Sequence, residues 1–367
     1  MFVKISNSPR DYAWGSDGRI SALFGQRSSA REAELWLGTH EGSPARVADG
    51  RTLGVVLDEA EVPHPPFLLK VLAAGSPLSL QAHPTAEQAE AGYERENAAG
   101  IPLDAPHRSY RDPFAKPEII VAVTEFEALC GLRSIAQAQQ LLRAVTAVDA
   151  GAEPLLERLD TSMESAVAWL LSRDDAVAGV VAAVTGAVTI LSREDAGAGD
   201  TVRRLAEHYP GDPGIVVGGL LMNRVTLAPD EALFLPAGNL HAYLEGVGIE
   251  LMGPSDNVMR AGLTQKHIDV DELMSIADFS PLPEPRMARG TLAGALQYSP
   301  DAPFELRRIH GEHAPGVAAC GILIAVAPTT VTLADGVEEL AAGEAAFIDN
   351  VEGVAIVSES AWLALAQ

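Results

Sequence analysis

Gln81 and His83, two residues apart in segment 78–84, are the first side chains in this sequence that could do chemistry together. The segment has the pattern of a strand ending at Pro84, and side chains at positions i and i+2 of a strand point to the same face. Such a pair belongs either to a metal site or to a polar, solvated face of a sheet. The spacing alone favours the solvated face.

Two further donor residues strengthen the metal interpretation. Glu118 follows Lys116-Pro117 and stands at the entrance of the apolar segment 119–123, while His241 follows a Pro–Gly turn and begins another predicted strand. Neutral imidazole nitrogens together with carboxylate or amide oxygens suit Zn²⁺ or a similar borderline cation. The sequence thus offers four donors to one divalent ion, although spacing alone does not bring them together.

The segments that must position these donors fall into three regions that differ in composition and apolar spacing. Residues 1–133 contain short apolar runs broken by Gly, Pro and Asp, which predict strands, with one short helix over 85–97. Residues 134–210 are rich in Ala, Leu, Gln and Glu, with apolar residues three and four apart, which predicts a helical block. We therefore expect a mainly β protein with an α-helical insertion.

Strand texture returns at Ile215 and continues to about Met252. A proline-rich segment, 280–285, is interpreted as a linker, and the remaining residues 290–367 again predict short strands. Many short strands separated by turns are typical of a jelly roll or a related β-barrel.

Composition restricts the possible partners. The 367 residues include 26 Lys and Arg against 50 Asp and Glu, a net charge of −24, which disfavours binding to nucleic acid or anionic membranes. An anionic substrate would need cations of its own within the pocket. Cys130 and Cys320 match no metal or redox spacing and are interpreted as buried apolar residues.

No segment predicts export or membrane insertion. Residues 1–15 lack the apolar region of a signal peptide, and the uncharged segment 176–191 is shorter than the ~20 residues that a membrane span needs. We interpret the latter as a buried helix. The expectation is a cytoplasmic monomer that acts on a small molecule.

Several longer motifs, in order, give the sequence a family resemblance. They are NSPRDYAWG (7–15), ELWLG (34–38), LSLQAHP (78–84), KPE (116–118) with FEALCGLR (126–133), and SDNVMRAGLTQK (255–266). Across residues 7–271 the chain resembles the type I mannose-6-phosphate isomerases, zinc enzymes of the cupin superfamily. Several motifs in the family's order are a far more specific signal than one short pattern.

The resemblance implies a fold and an activity. It implies a discontinuous catalytic cupin core (1–133 and 213–285), a helical insertion (134–212) and a C-terminal cupin-like β domain (286–367). The implied reaction is the zinc-dependent interconversion of mannose 6-phosphate and fructose 6-phosphate through an enediol. Negative charge develops on the sugar oxygens in such a reaction, so cations placed beforehand lower the barrier.

The resemblance also implies roles for particular residues. One zinc ion per chain would be held by Gln81, His83, Glu118 and His241. The implied catalytic residues are Arg260, Glu250 and Lys116, with Glu250 as candidate proton carrier, and the implied substrate-binding residues are Lys70, Ser79 and Tyr243. Taken without the resemblance, Lys70, Ser79, Glu250 and Arg260 could each also be structural.

The chain departs from the family pattern at a few positions, and other functions stay open. Phe114-Ala115 stands where the family has polar residues, and segment 74–77 lacks a lysine that is common there. Alternatives are another metal-dependent cupin enzyme, such as an iron oxygenase with two histidines and one carboxylate, and a non-catalytic two-cupin sugar-binding protein. Gln81 and Arg260 argue against the oxygenase.

Overall fold

The computed structural model describes residues 1–172, 174–282 and 285–367, so Pro283 and Glu284 of the predicted linker lie outside the described residues. The first third of the chain is mostly strands. Its elements are β1 (Phe2–Ile5), β2 (Ser16–Asp17), α1 (Arg19–Leu23), β3 (Arg31–Glu32), β4 (Glu34–Leu37), α2 (Leu53–Glu59), β5 (Leu68–Ala74), β6 (Leu80–Ala82), α3 (Ala86–Ala98), β7 (Glu118–Ala122) and β8 (Phe126–Leu132).

The helical block predicted for residues 134–210 is confirmed. It contains α4 (Ile135–Thr146), a 3₁₀ turn (Ala150–Ala152), α5 (Glu153–Thr161), α6 (Met163–Leu171), α7 (Asp175–Gly186), α8 (Val188–Glu194) and α9 (Ala196–His208). Local signals start several of these helices: Ser134 and Gln137 form a capping box at α4, and Asp195 caps α9.

The remaining elements return to strands. They are α10 (Gly214–Val216), a π-helical turn (Val217–Leu221), β9 (Met222–Leu227), β10 (Ala232–Leu235), β11 (His241–Met252), β12 (Met259–Gly262), α11 (Val270–Ile276), β13 (Arg286–Met287), β14 (Gly290–Leu292), β15 (Ala295–Tyr298), β16 (Phe304–Ile309), β17 (Glu312–His313), β18 (Cys320–Ala325), β19 (Thr329–Leu333), β20 (Gly336–Leu340), β21 (Ala345–Asp349), β22 (Ala355–Ser358) and β23 (Ala361–Ala366).

The strand expected from Ile215 is wrong over its first seven residues, which are helical and buried. A short, fully apolar run looks the same in a buried strand and a buried helix, so periodicity could not separate them. Tertiary packing selects the helix. Gly219 lies so close to α9 that a Cβ added to it would be 2.4 Å from Val202 Cγ2. The segment therefore packs closely against α9 as the chain leaves the helical block.

The apolar segment 176–191 is two helices rather than one. Helices α7 and α8 meet at an angle of 65°, and the inner face of α7 is buried. Among the described residues, no single helix is long and apolar enough to cross a membrane, and only this bent pair meets the test of length and composition.

Strand β11 joins two layers of one large sheet. Its first residues pair with β6 and β8, and its last residues pair with β5 and β7. A second sheet has the order β1-β21-β18-β23-β16-β15-β14, and a third the order β17-β22-β19-β20. The sheet-rich fold with a helical block is confirmed, while the strand pairings of the described residues form open sheets rather than a closed ring.

The large sheet and the second sheet share a hydrophobic core. Leu69, Val71 and Ile249 pack in one cluster with Phe347 and Trp362 from the C-terminal strands. The helical block has its own core, which reaches Leu80, Ala82 and Ala242 next to the predicted donors. The donor strands β6 and β11 are therefore packed from the helical side.

An ion-pair network ties the helical block to the sheet. Arg204 of α9 pairs with Glu127 of β8 and, at 2.8 Å, with Glu245 of β11. Arg224 of β9 pairs with Glu127 and, at 2.6 Å, with Asp200 of α9. Glu127 is thus the shared anion of two partly buried guanidinium groups.

Replacing Glu127 by Ala should lower the free energy of unfolding by about 2 kcal/mol, because it leaves two partly buried arginines without their common partner. The control is Glu207→Ala, which breaks the exposed Arg203–Glu207 pair on α9, the helix that also carries Arg204. Urea unfolding should show a lower midpoint for the first variant and an unchanged midpoint for the second. Equal midpoints for both variants would contradict a structural role of the network.

Candidate metal centre and its pocket

Neighbouring strands bring the predicted donors together. His241, the first residue of β11, lies opposite Gln81 on β6, and Gln81 in turn lies opposite Arg260 on β12. Glu118 is the first residue of β7, which pairs with the far half of β11, and His83 follows directly after β6. The three strands β12, β6 and β11 thus carry Arg260, Gln81 and His241 side by side.

The donor atoms converge on Glu118. His83 Nε2 lies 3.4 Å from Glu118 Oε1, and His241 Nε2 lies 3.4 Å from Glu118 Oε2. Donor atoms of these three residues all lie within 4.8 Å of one another, and all three residues are at most 2% exposed. The Gln81 amide is 3.3 Å from His241 Nε2, and turning the amide over would present its oxygen to the same space.

Backbone carbonyls orient both imidazole rings. His83 Nδ1 lies 2.7 Å from the carbonyl oxygen of Asn257, and His241 Nδ1 lies 3.0 Å from that of Asn239. Because a carbonyl only accepts, each neutral ring carries its proton on Nδ1 and turns an Nε2 lone pair toward Glu118. This arrangement of outer partners is typical of histidines that bind metals.

Two buried donor atoms have no hydrogen-bond partner among the described residues. In the part of the chain that the structure describes, His83 Nε2 and Glu118 Oε2 form no hydrogen bond although both are buried. Unsatisfied buried polar atoms are costly, and a cation between them would satisfy both. The donor set therefore fits a divalent metal ion.

Burial and nearby charges keep His83 and Glu118 in metal-binding protonation states. Burial, opposed by the Glu118 carboxylate and assisted by the nearby Lys116 ammonium, lowers the pKa of His83 to about 4, so the ring is neutral at physiological pH. Burial alone would raise the pKa of Glu118, but the Lys116 ammonium, 3.0 Å from its Oε1, outweighs burial and holds this pKa well below its usual range. Glu118 is therefore a carboxylate at neutral pH.

A cavity of about 400 Å³ opens beside these donors. Gln81 and Glu118 line it, and so do all the residues predicted from the resemblance as catalytic or substrate-binding: Lys70, Ser79, Lys116, Tyr243, Glu250 and Arg260. The structure therefore places every one of these side chains at a single pocket next to the donor cluster.

One wall of the pocket carries a buried hydrogen-bonded chain. The Tyr243 hydroxyl donates to Glu250 Oε1 at 2.9 Å, and Lys70 Nζ lies 3.0 Å from Glu250 Oε2 and 3.4 Å from Glu34. Burial raises the pKa of Glu250, and Lys70 offsets part of that rise. Burial would lower the pKa of Lys70, but the carboxylates of Glu250 and Glu34 outweigh it and raise this pKa.

Cations of another kind also line the pocket, on β12 and in the segment that follows it. Among the described residues, neither Arg260 nor Lys266 has a carboxylate partner. Burial, followed by the nearby Arg111, lowers the pKa of Arg260, while burial, Arg260 and Arg111 lower the pKa of Lys266. Unpaired cations that repel one another are poised to receive an anion.

Sequence reasoning gave no role to several residues that line the pocket. They are Tyr12, Trp14, Glu34, Tyr209, Thr264, Gln265 and Lys266. Lys266 ends the SDNVMRAGLTQK motif, so its position in that motif was a usable signal. Tyr209 had no comparable signal, because it stands among turn-forming residues at the end of the helical block.

The chain is similar in sequence to a family model and to several named relatives. Residues 2–135 match the family model described as phosphomannose isomerase type I, catalytic domain. Mannose-6-phosphate isomerases of Salmonella typhimurium and Escherichia coli are each 39% identical over 298 residues, covering 76% of this chain and 75% of the relative. The human enzyme of that name is 32% identical over 321 residues, covering 76% and 73%.

Solved structures extend the likeness to the whole chain. A crystal structure of mannose 6-phosphate isomerase bound with zinc and yttrium superposes with a TM-score of 0.89 at 32% identity, covering 100% of this chain and 99% of the other. A zinc-bound holo structure of mannose 6-phosphate isomerase gives the same values. From its sequence relatives and its fold, the chain belongs to the type I mannose-6-phosphate isomerase family.

Proposed function

We propose that this chain is a zinc-dependent isomerase that interconverts mannose 6-phosphate and fructose 6-phosphate. The observation that carries the proposal is the buried His83–Glu118–His241 cluster at the edge of the pocket, in a chain whose relatives bear that enzyme's name. An iron oxygenase and a non-catalytic sugar-binding protein are less favoured, because Lys70, Glu250 and Arg260 line the same pocket.

Gln81, His83, Glu118 and His241 would hold one zinc ion. When bound there, zinc supplies a Lewis acid that polarises the sugar carbonyl. The chain's own part is to keep the His83 imidazole neutral and Glu118 ionised, and the carbonyls of Asn257 and Asn239 fix the orientation of the two rings. Lys116 then stabilises the Glu118 carboxylate from outside the ligand set.

Glu250 is the proton carrier in this proposal. It removes the proton from C2 of the aldose, the electron pair of that C–H bond forms the C1–C2 double bond, and the C1 oxygen gains a proton. Return of the proton to C1, with loss of the proton from the C2 hydroxyl, gives the ketose. A carboxyl group whose pKa is raised by burial transfers protons near neutral pH more effectively than one with an ordinary pKa.

Lys70 and Tyr243 each contact one oxygen of the Glu250 carboxylate and hold this group in position. Lys70 therefore acts near the sugar carbons that react. Arg260, next to Gln81 in the strand register, stabilises the negative charge that develops on the sugar oxygens. The phosphate group would lie at the other end, against Lys266 and Ser79, because Lys70 and Lys116 are already paired with carboxylates.

The organisation of the chain is part of the proposal. We assign a discontinuous cupin jelly roll to residues 1–133 and 213–285, an insertion to 134–212 and a second cupin-like unit to 286–367. The passage of β11 between two layers supports a jelly roll, and the pairing of β1 with β21 attaches the N-terminus to the last unit. A monomer in the cytoplasm, without nucleic-acid or membrane partners, rests on the sequence alone.

A coupled assay for fructose 6-phosphate should show turnover of mannose 6-phosphate by the purified protein, which should carry about one zinc per chain. His241→Ala should lose both zinc and turnover, because it removes a buried donor. The matched control, His310→Ala, changes an exposed histidine in the C-terminal unit and should keep both. Absence of turnover in zinc-loaded wild-type protein would overturn the proposed function.

Arg260→Ala should lower kcat by about 10²- to 10³-fold, because charge stabilisation in the transition state is lost. Zinc content should stay unchanged, since Arg260 is not a proposed ligand. Arg193→Ala, at an exposed position on α8, is the control and should behave as wild type. If kcat of the Arg260 variant stays within about threefold of wild type, Arg260 does not act on the reacting atoms.

A further inference from the structure

The turn that closes the helical block, residues 209–214, contacts two chain segments that contribute residues to the pocket. On one side the Tyr209 hydroxyl donates a 2.6 Å hydrogen bond to the carbonyl of Pro77, two residues before Ser79. On the other side Asp212 binds the backbone that follows β12. The insertion thus joins the two chain segments that carry Ser79 and Lys266.

Asp212 gathers three backbone N–H groups. Its Oδ1 accepts from Gly214 at 2.7 Å and from Leu263 at 3.0 Å, and its Oδ2 accepts from Thr264 at 3.4 Å. Leu263 has φ of 54°, in the left-handed region that a leucine seldom adopts. The carboxylate therefore stabilises a turn that the local sequence does not favour.

Two glycines bring the backbones into direct contact at this point. A Cβ on Gly262, where φ is 124°, would lie 2.7 Å from Gly214 Cα, and a Cβ on Gly214 would lie 2.7 Å from the nitrogen of Leu263. No side chain fits between the two segments. Asp212 therefore joins two backbone segments that are in direct contact with each other.

The pairing of β12 with β6 does not fix the position of the segment that follows β12. The register of β12 on β6 holds Arg260 opposite Gln81 and becomes irregular between Arg260 and Gly262. The next residues, Leu263 to Lys266, line the pocket after the strand has ended. Arg260 is thus fixed by the sheet, whereas the position of Lys266 depends on the turn.

We infer that Asp212 is a positioning residue, which places Thr264 and Lys266 where the phosphate of the substrate binds. The inference rests on the proposed function. A carboxylate near a phosphate site would ordinarily be unfavourable, but the charge of Asp212 faces three N–H donors. The role thus depends on its acceptor atoms and not on its charge.

Steady-state kinetics of the zinc-loaded protein test this, with mannose 6-phosphate as substrate and inorganic phosphate as inhibitor. Asp212→Ala should raise KM and the inhibition constant of phosphate by a common factor of about ten, with kcat changed by less than about threefold. Asp212→Asn should stay within about threefold of wild type on both constants, because its amide oxygen still accepts from Gly214 and Leu263. Glu157→Ala, on the exposed face of α5, is the control and should match wild type.

Three results would overturn the inference: unchanged KM and phosphate inhibition in Asp212→Ala, a fall in kcat alone, or an Asn variant as impaired as the Ala variant. If Asp212→Ala does not fold, Asp212→Ser, which keeps one acceptor, takes its place with the same expected direction and the same refuting results. If wild type shows no turnover, the proposed function fails. Calorimetric binding of inorganic phosphate to wild type and the variants then decides the inference separately.

Discussion

The contact between the buried Glu118 carboxylate and the two imidazoles of His83 and His241 is the constraint on which the pocket depends. A buried carboxylate with an unsatisfied oxygen is tolerated only when a cation compensates it, and Lys116 reaches only one side of this group. The ends of three strands and the carbonyls of Asn239 and Asn257 all hold the cluster in place. The space between these donors is therefore suited to bind a divalent ion.

The distribution of charge around the pocket follows from the same constraint. The chain carries a net charge of −24, which repels a sugar phosphate, so the pocket needs cations that are not already paired with carboxylates. Lys70 and Lys116 are neutralised by carboxylates and tune the groups beside them, whereas Arg260 and Lys266 have no carboxylate partner among the described residues. In the proposed function these two cations serve two tasks, Arg260 at the reacting sugar oxygens and Lys266 at the phosphate.

Local signals predicted local structure, and packing decided the rest. The helix expected over 85–97 forms as Ala86–Ala98 because Thr85 and Gln88 make a capping box within the segment itself. The strand expected at Ile215 does not form there, because contacts with α9 select a helix. The Gln81–His83 pair was visible in the sequence, but its meeting with His241 depends on a register across 160 residues, which the family resemblance alone suggested. Asp212 had no sequence signal, since its role lies in backbone contacts between distant segments.

Reconstitution of the metal-free protein tests the central claim most directly. Chelator-treated protein would be mixed with increasing zinc, and isomerase activity would be measured against bound zinc. We predict that activity is absent without metal, rises in proportion to bound zinc and saturates at about one equivalent per chain. Full activity in protein shown to be free of metal would contradict the claim that the His83–Glu118–His241 cluster is the centre of the reaction.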